Sequence, residues 1–197
     1  MSGAMGARMS AQDAVVRYQV DPAMGRLTVK VLASGLLSMM GHNPTIAVGT
    51  YSGEASAAAD TLARASLRMT VQPDSLTVTD DISQKDKLEI ESRMKQEVLE
   101  TARYPSIGFE SSAITASKIG ENSYAVQALG NVSLHGVSRV QTIVAQVALN
   151  GDTLRAFGEF SLRQTDFGIP LVSVAGGTLK VKDEVKISFD ITARKRE

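Results

Sequence analysis

At 197 residues the chain is long enough for one domain with a substantial core, and its Lys+Arg 21 and Asp+Glu 21 give zero formal net charge. That balance argues against a nucleic-acid protein, which carries a basic excess to meet phosphates. Cysteine is absent, which excludes disulfides, thiol nucleophiles and zinc–thiolate sites; tryptophan is absent, and aromatics at 5% are too sparse for a base-stacking platform.

In chain order, residues 1–13 are small and polar and are expected to form a flexible N-terminus ahead of a single domain over 14–197. They hold no apolar run of signal-peptide length, and no stretch approaches a membrane-spanning helix. A cytoplasmic location is the expectation for the chain as written, and a periplasmic one if a leader has been removed.

Val15 to Val20 reads as a strand, Asp21-Pro22 and Gly25 as a turn, and Arg26 to Ala33 as the returning strand of a hairpin. Gly35 to Gly41 breaks the alternation. It is apolar, bracketed by glycines, and fits a short helical turn followed by His42-Asn43-Pro44. Such a plug caps the end of a barrel or lines its entrance, and Leu36, Leu37, Met39 and Met40 form an adaptable lining. Thr45 to Ala58 reads as one strand, and Leu67, Met69 and Val71 mark the next.

The main helix is expected at about 83–100. Ser83 is its N-cap, with Asp86 three residues later, and Ile90, Met94 and Val98 recur every four residues. Tyr104 to Phe109 resumes the sheet. Tyr124 to Leu134 alternates, but small Ala128 and Gly130 interrupt its large residues, a sign of a bend or of close approach by another group. Asn150-Gly151 is a hairpin turn. Leu154, Phe160 and Leu162 then share a face. In the last stretch Val185, Ile187, Phe189, Ile191 and Ala193 alternate with polar residues, which gives a strand with one dry and one wet face. Asp183 shares the parity of the dry face. Either a bulge or turn falls there, or a buried base pairs with it. The whole reads as a mainly β chain, an antiparallel barrel closing around something apolar.

Four stretches carry a resemblance: Leu36 to Pro44, Tyr104 to Ser111, Gly130 to Arg139, and Gln164 to Ile169 with Leu179 to Asp183. In this order they resemble the YceI-like family from about Tyr18 to Ala193. The resemblance implies a lipocalin-like barrel with an apolar tunnel. It also implies an isoprenoid ligand such as a quinone or polyprenyl phosphate, and an association into homodimers.

On that reading Met94, Val126, Phe160, Ile187 and Phe189 join Leu36, Leu37, Met39 and Met40 in lining the tunnel. His42, Asn43, His135 and Arg139 are head-group candidates at its mouth, since an imidazole or guanidinium donates to carbonyl or phosphate oxygens. For each histidine a structural hydrogen bond to the backbone of its neighbouring turn is the competing role. Two histidines far apart, with no spaced carboxylates, make no metal motif. The expected function is non-catalytic carriage of a long apolar lipid, with no cofactor, nucleic acid or membrane span. The alternatives are a histidine-dependent enzyme acting on a lipid or quinone, and a filled barrel serving as an interaction module.

Overall fold

The computed structural model describes residues 15–35, 43–58, 62–171, 173–174 and 179–196. The strands are β1 (Val15–Gly35), β2 (Thr45–Val48), β3 (Tyr51–Ala58), β4 (Ser66–Val71), β5 (Leu76–Val78), β6 (Ile107–Lys118), β7 (Ser123–Leu134), β8 (Val137–Asn150), β9 (Thr153–Arg163), β10 (Ser173–Val174) and β11 (Leu179–Lys195). Among the described residues one α-helix, α1 (Gln84–Arg93), continues into a π-helical turn, Met94–Val98.

The strands form one sheet in the order β10-β11-β9-β8-β7-β6-β4-β3-β1-β2-β5, and β11 also pairs with β1. That pairing closes β1, β3, β4, β6, β7, β8, β9 and β11 into an eight-stranded antiparallel barrel. β2 and β5 extend the sheet from the second half of β1. The alternation read from the sequence is what builds the wall. Along β7, Tyr124, Val126, Ala128 and Val132 are buried while Ala125, Gln127, Leu129 and Asn131 are exposed. A barrel of this size leaves room for side chains or for one ligand.

The expected hairpin of Val15–Val20 with Arg26–Ala33 is corrected: β1 is one strand that runs through Asp21–Gly25. Asp21 faces Thr192 and Arg26 faces Asp190, so the segment between them bulges and the strand keeps its partner. The turn chemistry is present, since Asp21 Oδ1 accepts from the Ala23 amide at 3.1 Å. Distant contacts override it. The Tyr51 hydroxyl donates to the Pro22 carbonyl at 3.4 Å, and a Cβ on Gly25 would lie 3.1 Å from the Asp190 carbonyl oxygen. The expected single strand Thr45–Ala58 is likewise two, β2 and β3, parted at Gly49-Thr50.

Ser83 caps α1 as the sequence indicates: its Oγ accepts from the Asp86 amide at 3.1 Å and donates to the Asp86 carboxylate at 2.7 Å. Glu91 ties the helix to β5 by accepting from the Val78 amide at 2.8 Å. The Asp183 question resolves as a bulge. Val31 faces Val185 and Ala33 faces Val181, so Lys182–Glu184 oppose Leu32 alone. The freed carboxylate accepts from Arg163 Nε (2.9 Å), the Thr165 amide (2.8 Å) and the Thr165 hydroxyl (2.7 Å). It thereby holds the 3-10 turn Gln164–Phe167. The expected helical turn near 35–41 and the N-terminal segment lie outside the described residues.

Candidate functional site

The barrel interior is packed differently at its two ends. At one end Ala57, Leu62, Tyr124, Val126 and Val147 form a buried cluster, with Leu149 and Leu154 against it. At the other, α1 and its π-helical turn lie across the strand ends. Met94 and Leu99 pack against a cluster that includes Val20, Ile46, Tyr51 and Leu76. Val98 and Leu99 meet a second one built from Phe109, Val132, Phe167 and Ile169. α1 has no buried residue of its own.

Leu27, Val29, Ile143, Phe160, Phe189 and Ile191 share the inward parity of buried Ile187 and Ala193, yet each is only half-buried. Leu27, Val29 and Ile191 pack against the first of the helix-end clusters and Ile143 against the second, and by register the six form an arc over β8, β9, β11 and β1. Phe160 and Phe189 stand side by side there, ring centroids 6.4 Å apart and tilted by 57°. A Cβ on Gly158 would come within 2.9 Å of Phe189 Cζ, and one on Gly130 within 2.8 Å of Phe109 Cζ. The carbonyls of Val144 and Glu110 come nearer still to these two positions, so the neighbouring strand and the ring together leave no room for a side chain. This is the close approach that Gly130 signals in the sequence.

The sequence-derived site residues fall into three groups. Phe160 and Phe189 are in the half-buried arc, with Ile187 beside them at 8% exposure. Val126 lies in the cluster at the closed end, and Met94 under the helix at the other. Leu36, Leu37, Met39, Met40 and His42 lie outside the described residues. Asn43 is exposed just before β2. The arc also contains Leu27, Val29, Ile143 and Ile191, which were not singled out from sequence, although each shows the same alternation as the residues that were.

His135 and Arg139 stand at the helix end of the barrel and serve its frame. His135 Nε2 and Glu100 Oε2 are 2.8 Å apart, the His135 side chain is 9% exposed, and its ring centroid is 4.4 Å from that of Tyr104. Its partner is thus a carboxylate of the helical segment. Glu100, His135 and Gly136 all have positive φ, at 45°, 52° and 75°. A Cβ on Gly136 would sit 2.7 Å from Tyr104 Cε1, so glycine is required by space as well as by conformation. The contact fastens the end of the helical segment to the β7–β8 turn. Arg139 Nε donates to the Asp166 carbonyl at 2.9 Å and ties β8 to the Gln164–Phe167 turn. Among the described residues no group of three or more His, Asp or Glu side chains is placed to hold a metal, and no helix is long and apolar enough to cross a membrane.

No curated protein matches the chain. Solved structures do. BcnA from Burkholderia cenocepacia superposes with a TM-score of 0.67 at 22% identity, covering 88% of this chain and 98% of that one. A polyisoprenoid-binding domain from Saccharophagus degradans, implicated in plant cell wall breakdown, gives 0.63 at 16% identity, over 91% and 98% of the two chains. A YceI protein from Campylobacter jejuni gives 0.57 at 16%, over 77% and 85%. At these identities the likeness establishes the fold. The sequence profile of the YceI-like domain matches residues 18–193, and the chain belongs to that family.

Proposed function

We propose that this protein binds a long apolar lipid of the isoprenoid class, a quinone or a related polyisoprenoid, inside its barrel and carries it without chemical change. The observation that supports this reading is the arc of inward apolar side chains, with Phe160 and Phe189 at its middle, that stays half-buried beside the packed clusters. Unfilled apolar surface inside a closed barrel is stabilised by an apolar guest. Each CH2 taken from water contributes about 0.8 kcal/mol, so a single isoprene unit offers roughly 3–4 kcal/mol before the cost of ordering the chain. Binding of this kind needs few polar contacts, which fits side chains such as Val29, Ile143 and Ile191 on the arc. His135 and Arg139 are engaged in holding the helix and the 164–167 turn, and a role in holding the ligand's container suits them better than one in catalysis.

The test is to fill the space. Val29→Trp places a large ring on the arc. In a hollow barrel the variant keeps its stability to within ~1 kcal/mol, because the ring turns into the hollow past the cluster that Val29 packs against, and loses isoprenoid quinone binding at least tenfold. In a filled barrel the same substitution overpacks the core and costs about 1–3 kcal/mol. Undiminished binding by a folded Val29→Trp protein would remove the interior as the site. Denaturant unfolding and a quinone titration give both readings on one sample.

A further inference from the structure

The wall is not equally sealed all round. β8 and β9 pair only at the closed end of the barrel, from Asn150↔Thr153 to Gln146↔Phe157. Beyond that, residues 137–145 of β8 remain laddered to β7 but have no sheet partner on β9. On β9, Glu159, Ser161 and Arg163 turn the other way, bonding Lys186 (2.9 Å), Glu184 (2.8 Å) and Asp183 (2.9 Å) of β11. At the rim the two sides are bridged again, by Arg139 Nε on the Asp166 carbonyl. The result is a lateral window, closed below by the Gln146↔Phe157 pair and by the close approach of Gly158 to β8, where a Cβ would lie 2.5 Å from the Val144 carbonyl oxygen, and above by the Arg139 contact.

What frames the window is apolar. On its outer side Val140, Val144 and Phe157 are 69%, 55% and 40% exposed. On its inner side Ile143 and Phe160 belong to the half-buried arc. An exposed strand edge is a hazard that folds blunt with charge, proline or a covering segment. Here the unladdered stretch of β8 carries valines on its outer face. Apolar side chains thus flank the unladdered stretch on both faces of the wall.

We propose that the β8–β9 seam is the portal through which the apolar tail of the ligand enters and leaves sideways. This inference rests on the reading of the barrel as an isoprenoid-binding site. A lateral route suits a long chain, since the tail slides past Val144 and Phe160 while the helix end stays fastened through His135 and Glu100.

The chain has no cysteine, which makes the seam easy to lock. Continued upward, the β8–β9 register sets Thr142 opposite Ser161. In Thr142→Cys/Ser161→Cys the two thiols are joined by oxidation or bridged by a short bis-maleimide. The control joins Ala125→Cys/Gln146→Cys across the β7–β8 pair, which is already laddered. The readout is the exchange rate of farnesol carrying an environment-sensitive fluorophore. Locking the seam is expected to slow uptake and release at least tenfold, and locking the control to leave both unchanged. A bulky maleimide on Val144→Cys is expected to slow exchange likewise, without any link having to form. Equal rates in the locked and open seam, with the probe still bound, would overturn the portal and leave the binding site standing. An open, folded protein that binds no probe would remove the isoprenoid reading, and the portal with it.

Discussion

At the scale of single residues, the side chains that looked most reactive are those that hold the frame. His135 is nearly buried and engaged by the Glu100 carboxylate and the Tyr104 ring. Removing it leaves a carboxylate without its partner and a ring without its neighbour. His135→Ala is expected to lose about 2–3 kcal/mol of stability while its ligand stoichiometry stays that of the parent; urea unfolding with a binding titration checks both. Asp183 gives the pH prediction. The Thr165 amide and hydroxyl, and then the Arg163 guanidinium, hold its carboxyl below the usual 3.8. A carboxyl depressed in the folded state stabilises fully above its unfolded value and ceases to do so as pH falls through the folded one. Asp183→Asn is therefore expected to be less stable than the parent at pH 7 and to converge with it towards pH 2. Asp190, held down chiefly by Arg155, acts in the same direction. A stability gap unchanged between those two pH values would contradict the assignment.

At the scale of elements, the sequence was informative wherever a local pattern decides the outcome. Ser83 with Asp86 announces a helix start because capping is a local hydrogen-bond problem. Val185, Ile187 and Ile191 announce a strand with one dry face because alternation is a property of the strand itself. Asn150-Gly151 turns as read, with Gly151 at φ 58°. Two features were out of reach for a shared reason. Asp21-Pro22 and Gly25 serve a bulge as well as a turn, and the choice is made by Tyr51 and β11, far away in sequence. The open stretch of β8 alternates like any paired strand, so nothing in Val140 or Val144 reveals that a neighbour is missing. Hydrogen exchange measures that neighbour directly. Amides in 138–145 that point towards β9 are expected to exchange faster than those of 146–150, and to slow when an isoprenoid fills the hollow. Uniform protection along β8 would mean that the ladder extends further than the fold indicates.

At the scale of the molecule, what matters is how the barrel divides its interior. Tyr124, Leu62 and Val147 close one end by packing, and the helical segment crosses the other with Met94, Val98 and Leu99. Rings laid over Gly130 and Gly158 keep aromatic bulk against the wall. The sequence indicated a barrel around something apolar from its long one-sided strands. It did not indicate which arc stays only half-buried, because Ile143 and Val147 look alike until their surroundings are assembled. Ala57 and Ala58 are buried within the chain at 3% and 5% exposure. The account therefore stands or falls on a guest in the interior. Native mass spectrometry of freshly purified protein, followed by organic extraction, reads it in one step. The account predicts a bound mass that extracts as an isoprenoid chain, or one that appears when an isoprenoid quinone is added. A clean ligand-free mass, unchanged in the presence of such quinones, would contradict it.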